Sequence, residues 1–285
     1  MRSIIINMMN NKNIFITLSK LEHIFQKTKN YLSQQIPNNY IALKIAMKAN
    51  GYINIELAKK IENQKLGKII RNCLYIGDSS LKNINSYIDK ISILIKNYST
   101  KKWNNELLDI TDNNQKTIGY IERSTARALG LKTRVVHLNA WNSNTSIWIS
   151  KRSNKKAINP GKWDTLVGGL VSYKENINQA LKRESLEEAN LDISAIRQRS
   201  KLQKIIDIYK LTSDGFQTEE LFSSSCLLNN MTPSNKDGEI DIIKIHSIEE
   251  VIRLIERNDF TEESSLIIIK DLIQKIKMGL NLHQE

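Results

Sequence analysis

The stretch from Gly169 to Leu191, GLVSYKENINQALKRESLEEANL, constrains this chain more than any other. Gly169 is followed by five residues and Glu175, then by seven residues and the pair Arg183-Glu184, then by two residues and the pair Glu187-Glu188. From about Asn176 to Ala189 there is no proline or glycine, and Leu, Lys, Glu, Gln and Ala favour a helix. Ile177, Ala180 and Leu181 share one face of that helix. The same face, continued by three or four residues, carries Glu184, then Glu187 and Glu188. A plain amphipathic helix would be apolar there. Like charges at i, i+3 and i+4 repel one another and resist desolvation, and a hard cation removes the conflict. Oxygen-only ligation points to Mg²⁺, with Mn²⁺ as the alternative, rather than zinc. Charged helix faces are commonplace and usually solvated. What argues for a metal site is the whole pattern: Gly168-Gly169 closing the stretch Trp163 to Val167, a loop, Glu175, then the carboxylate helix.

The pattern resembles the Nudix box, the signature of hydrolases that cut diphosphate linkages in a metal-bound substrate. The resemblance implies a loop–helix–loop in which Glu184, Glu187 and Glu188 ligate the metals. It implies that Arg183 and Glu175 orient the loop and the ligands, with Gly168 and Gly169 in the loop. Three positions depart from the family pattern. Ser185 stands where an aliphatic residue is usual, Asn190 where glycine follows the helix, and Lys174 where many relatives have glycine. Asn tolerates the left-handed conformation better than other non-glycine residues, so a helix stop at Asn190 is still expected.

The flanks narrow the resemblance. IGYIERSTARALGLKTRVVHLNAW (Ile118 to Trp141), GKWDTLVGGLVS (Gly161 to Ser172), GFQTEELF (Gly215 to Phe222) and PSNKDGEI (Pro233 to Ile240) are similar to one Nudix subfamily. Its members carry an extra N-terminal domain related to the front half of some fungal thiamine pyrophosphokinases. The likeness covers roughly residues 40 to 260 and implies hydrolysis of thiamine diphosphate, especially its oxo and oxy forms, to the monophosphate and phosphate. The base is left open between a box glutamate such as Glu187 and a carboxylate of a later loop, Glu219, Glu220 or Glu239; each of these three reads equally as an exposed strand-end acid. Gln217, Glu239 and Trp163 are candidate substrate contacts, although core packing beside the box is the plainer role for Trp163. The alternatives are hydrolysis of a nucleoside diphosphate derivative such as ADP-ribose or NADH, and a non-catalytic ligand-binding module. The related isopentenyl diphosphate isomerases use a cysteine before the box, a place that neither Cys73 nor Cys226 fits.

The rest of the chain sets the frame. Its 285 residues allow one large or two ordinary domains, and a hydrophobic content of 40% supports real cores. The net charge of +12 comes from lysines spread along the chain, with no basic–aromatic run, so a small anionic substrate is expected and nucleic acid is not. Two cysteines in no metal or redox spacing fit a reduced cytoplasm. The four histidines form no cluster, and His137, in the run VVHL, reads as a core histidine. The opening MRSIIINMMNNKNIFI does not read as a signal peptide, because its apolar parts are short and broken by asparagines, and no segment is long and apolar enough for a bilayer.

Residues 1–131 are expected to form an α+β domain, with an unstructured extension to about Phe15. Helices are expected at Leu18 to Leu32, from a cap at Asp78 to Ser80 through Ile95, and at Ser124 to Leu129. Hairpins are expected at Ile41 to Ile55, turning at Asn50-Gly51, and at Glu106 to Ile121, turning at Asp112 to Gln115. Residues 132–285 are expected to form the Nudix α/β/α sandwich. Its strands are Val135 to Trp141 paired with Ser146 to Lys151, then Ile205 to Tyr209, Glu219 to Leu228 and Ile240 to His246. Two helices follow, one opened by Ser247 and Glu250, the other from Glu262 to Met278 and stopping before Gly279.

Overall fold

The computed structural model describes residues 11–77, 84–98, 103, 105–156, 158–236 and 238–281. Helix α1 (Asn11–Tyr31) opens the described chain and starts inside the expected extension. A first sheet follows, built from β1 (Tyr40–Ile45), β2 (Ala49–Asn54), β3 (Lys68–Ile70) and β4 (Cys73–Ile76) in the order β2-β1-β4-β3. Helix α2 (Ile55–Asn63) lies between β2 and β3. Then come α3 (Ile84–Tyr98), the hairpin β5 (Leu107–Thr111) and β6 (Thr117–Glu122), and the short helix α4 (Arg123–Ala128). The cap expected for α3 at Asp78 to Ser80 lies outside the described residues.

The first hairpin corrects the sequence reading. Its turn is at Ala46 and Met47, both at positive φ (49° and 60°), and Asn50-Gly51 lies inside β2. Gly51 serves a close approach instead of a turn, because a β-carbon there would sit 2.5 Å from the Leu129 carbonyl oxygen. The second hairpin turns where expected, with Gln115 at φ 62°.

The central sheet holds β7 (Lys132–Trp141), β8 (Ser146–Arg152), β11 (Gln203–Thr212), β12 (Gly215–Leu227) and β13 (Ile240–Ser247) in the order β11-β12-β7-β8-β13. Two short strands complete it: β9 (Trp163–Thr165) on β8 and β10 (Val167–Leu170) on β7. The β7–β8 hairpin is therefore shorter than expected. Only Ala140 and Trp141 face β8, and Val135 to Leu138 pair with β10 instead.

Helix α5 (Ile177–Ala189) covers one face of this sheet. Its Ala180 and Leu181 pack with Val136, Leu138 and Ala140 of β7. Helix α6 (Ile248–Glu256) and helix α7 (Glu262–Asn281) cover the other, where Trp141 packs with Ile268, Ile269 and Leu272. Strand alternation produces this sorting. Helix α7 runs through Gly279 instead of stopping there, since one glycine costs a helix only about 1 kcal/mol. The result is an α/β fold with an α+β region ahead of an α/β/α sandwich.

The cores are continuous between these parts. Ile41, Ile53 and Ile88 belong to one buried cluster with Val135, Leu170, Leu221 and Leu266. Leu18 and Leu21 of α1 pack in a second cluster with α7. Among the described residues no helix is long and apolar enough to cross a membrane.

Candidate active site

Helix α5 is fixed at both ends by its own sequence. Asn176 accepts from the backbone of Asn178 and Gln179, and the Gln179 side chain accepts from Asn176 N, completing a capping box. At the far end Asn190 adopts φ 52°, ψ 37°, the left-handed stop expected of it. Lys174, in the loop before the helix, is also left-handed at φ 63°. Its backbone N donates to Asp109 of β5 at 3.2 Å, and Tyr173 N donates to the Leu107 carbonyl at 2.8 Å. The region ahead of the sheet thus holds the loop in place.

Arg183 is the hub. Its Nε and Nη2 grip the two Glu175 oxygens at 3.0 and 2.9 Å, and Nη2 also donates to the Leu170 carbonyl at 3.0 Å. Its Nη1 donates to Glu184 at 2.7 Å and to Glu187 at 3.1 Å. The bonds to Glu175, then the fields of Glu184 and Glu175, raise the Arg183 pKa further despite its burial. Glu175 in turn accepts from Ser172 N at 3.1 Å. Glu188 accepts from Gly168 N at 2.9 Å and meets Lys156 Nζ at 3.5 Å. Lys156 also pairs with Glu239 at 2.8 Å.

The three helix carboxylates differ in environment. Glu187 is half exposed. Glu184 and Glu188 are buried, and burial pushes their carboxyls up to about 7 and about 8. Arg183 opposes that rise at Glu184, and Lys156 opposes it at Glu188. Burial also raises Glu239, but Lys156 outweighs it and the carboxyl is lowered. Among the described residues no three metal-ligating side chains converge on one point. Glu184 and Glu187 turn to Arg183, while Glu188 turns to Lys156 and Gly168. The donor set nonetheless fits a hard divalent cation. Two desolvated carboxylates one helical turn apart, with a third beside them, supply only oxygen and have too little positive charge between them.

Sequence reasoning missed Glu106, Arg123 and Lys156. Glu106 pairs with Arg123 at 2.8 Å. It adds to the rise of Glu184, after burial and Glu187, and Arg123 helps lower Glu239. No spacing in the sequence marks these residues: the β5–β6 hairpin brings Glu106 and Arg123 to the site, and the loop after β8 brings Lys156.

Other candidates lie elsewhere. Gln217 is buried on the α7 face of β12, donating to Glu219 at 2.9 Å, and Glu219 accepts from Thr133 at 2.8 Å. Glu220, on the α5 face, is held by Lys204 at 2.7 Å. Trp163 packs against the α1–α7 cluster, edge-on to His246 at 5.1 Å. Of the candidate substrate contacts, only Glu239 reaches the carboxylate helix, through Lys156. His137 is a core histidine: Nδ1 is 2.8 Å from the Thr165 hydroxyl, and burial lowers its pKa. Cys73 and Cys226 are buried, and burial pushes the Cys226 thiol up to about 12, which leaves it inert.

The family model of the NUDIX domain matches residues 130–266. A Nudix hydrolase of Deinococcus radiodurans is 31% identical over 118 residues, 38% of this chain and 69% of that protein. The chloroplastic Nudix hydrolase 24 of Arabidopsis thaliana is 27% identical over 157 residues, 54% of this chain and 43% of that protein. A crystal structure of a Deinococcus radiodurans protein matches with a TM-score of 0.45 at 23% identity, covering 59% of this chain and 99% of that one. The chain spans about half the length of the first curated relatives it matches. The family match spans the carboxylate helix and its glycine loop. The bacterial relative is matched over more than two thirds of its length, and the chain belongs to the Nudix family.

Proposed function

We propose that the protein hydrolyses a diphosphate linkage in a small molecule with Mg²⁺, or Mn²⁺ in its place. The observation that carries this reading is the buried pair Glu184 and Glu188 with Glu187 beside it, all braced by Arg183 and Lys156. A divalent cation bound there would polarise a diphosphate oxygen and make water a nucleophile near neutral pH. Glu187, the most exposed of the three, takes the proton from the attacking water. Arg183 and Glu175 keep the loop and Glu184 in register. Lys156, between Glu188 and Glu239, offers a cation to the leaving phosphate. Residues 132–285 would carry the chemistry and residues 1–131 would brace and shape the site.

The expected substrate is thiamine diphosphate or its oxo and oxy forms, a reading supported by the resemblance of the flanking phrases. The test is Mg²⁺-dependent phosphate release from these compounds, ADP-ribose and NADH, with products identified. Preference for the oxidised thiamine diphosphates supports the full reading. Cleavage of ADP-ribose or NADH keeps the chemistry and rejects the thiamine assignment. If nothing is cleaved, or if Glu187→Gln retains full turnover, the catalytic reading is wrong.

A further inference from the structure

A cavity of about 290 Å³ lies where β2 and β5 meet the central sheet. Lys132, Arg134, Thr218 and Glu220 line it. In the parallel register of β7 and β12, Lys132 is opposite Thr218 and Arg134 opposite Glu220. These positions share strand parity with Val136 and Phe222, which pack towards α5. The cavity is therefore on the same sheet face as the carboxylate helix. Val171, also in its wall, is two residues beyond Gly169, whose missing side chain makes room for Glu184. Two residues of extended chain span roughly 7 Å. A molecule with its diphosphate at Glu184 could reach the cavity with its other end.

The walls say what that end is. Three carboxylates (Asp109, Asp112, Glu220) face two cations (Lys132, Arg134), so no surplus positive charge awaits another anion. These cations already have partners: Arg134 meets Asp109 at 3.4 Å and Lys132 meets Glu220 at 3.8 Å. Tyr52 and Tyr209 are also in the cavity wall. Asn50 and Asn113 bridge the edge at 2.8 Å. Thr218, only 6% exposed, has a buried hydroxyl with no hydrogen-bond partner among the described residues. A buried hydroxyl left this way is costly unless a ligand completes it. The size is at the low end for ligand pockets, typically about 300–1,000 Å³, and suits one part of a ligand.

We infer that this cavity is the subsite for the head group of the diphosphate substrate, a neutral or cationic nitrogen heteroaromatic ring bearing hydrogen-bonding groups. The region ahead of the central sheet thereby selects the substrate while α5 supplies the chemistry. This inference rests on the diphosphate-hydrolase reading for its link to catalysis, but the cavity can be tested alone.

The wild type, Thr218→Leu, Thr218→Val and Asn113→Ala are titrated calorimetrically with thiamine and adenosine, ring head groups that carry no phosphate. Each protein is also titrated with inorganic pyrophosphate and Mg²⁺. Thr218→Leu adds apolar bulk at the cavity wall, Thr218→Val removes only the hydroxyl, and Asn113→Ala opens the edge should the buried variants fail to fold. The expected result is that at least one head group binds the wild type and weakens by about tenfold or more in folded Thr218→Leu, less in the other two. Pyrophosphate binding stays unchanged, and KM for the cleaved diphosphate rises in step with head-group loss. The inference is overturned if neither head group binds the wild type, or if all folded variants bind it equally well. If no diphosphate is cleaved, the hydrolase reading fails by itself, and head-group binding still decides the subsite.

Discussion

Gly169 and Glu184 share one space: a β-carbon on Gly169 would overlap the Glu184 carboxyl group. The glycine is therefore a requirement of the carboxylate, and the two residues act as one unit. Gly169→Ala should push aside the flexible end of Glu184 while sparing the fold. Activity should fall about 10–100-fold, the range for disturbing a metal ligand's support. Gly168→Ala should behave differently. Its β-carbon would sit 2.7 Å from the buried His137 ring, which has no room to yield, so stability should fall by about 1–3 kcal/mol. Thermal melts paired with turnover of the two variants separate these outcomes; equal loss of stability in both would contradict the assignment.

Metal and pH should be linked through Glu184 and Glu188. Their folded-state pKa values, about 7 and about 8, are above the ordinary carboxylate value of 4.5. The stability they contribute is complete below about pH 4.5 and is lost as pH rises through 7 to 8. A divalent cation favours the ionised carboxylates. The rise in Tm on adding Mg²⁺ should therefore be larger at pH 8.5 than at pH 5, and should shrink sharply in Glu184→Gln/Glu188→Gln. A Mg²⁺ shift of the same size in that double variant would place the metal elsewhere.

Ser185 is fully buried, and its hydroxyl has no partner among the described residues. Ser185→Ala removes an unsatisfied polar atom and improves helix propensity. It should stabilise the protein by about 1 kcal/mol, or roughly 2–4 °C in Tm. Loss of stability in calorimetry would mean that the hydroxyl is bonded.

Glu263, at the start of α7, gives a second pH effect away from the carboxylate helix. Burial pushes its carboxyl up to about 7, aided by Glu262 and Glu219 and opposed by its backbone bond and Lys210. Its contribution is full below about pH 4.5 and disappears as pH rises through 7. Glu263→Gln should match the wild type near pH 4.5 and exceed it at pH 8 by on the order of 1 kcal/mol, discounted because part of the residue meets solvent. Urea melts at the two pH values test the sign.

The sequence showed the helix Ile177–Ala189 and its stop at Asn190 because both are local: a propensity run and a residue that tolerates left-handed backbone. It misplaced the first turn because Asn50-Gly51 carries a turn signal that tertiary packing overrides, with Gly51 pressed against Leu129. It did not show Glu106 and Arg123, which reach the site only after β5 docks on the loop at Tyr173. Nor did it show how β10 takes the place of β8 beside most of β7. Contacts between distant segments leave no period in the chain, so the box was legible and its surroundings were not.

The packing of α1 on α7 has a consequence for modularity. Leu18 and Leu21 share a core with Ile268, Ile269 and Leu272, and Glu22 pairs with Lys277 at 2.8 Å. The family match ends at residue 266, within the early turns of α7. A fragment cut at those limits would sever a helix and strip its apolar side. Recombination that swapped only the segment ahead of residue 130 would leave α7 facing a stranger. Within this chain the first and last described helices are therefore a matched pair, and an exchange has to move them together.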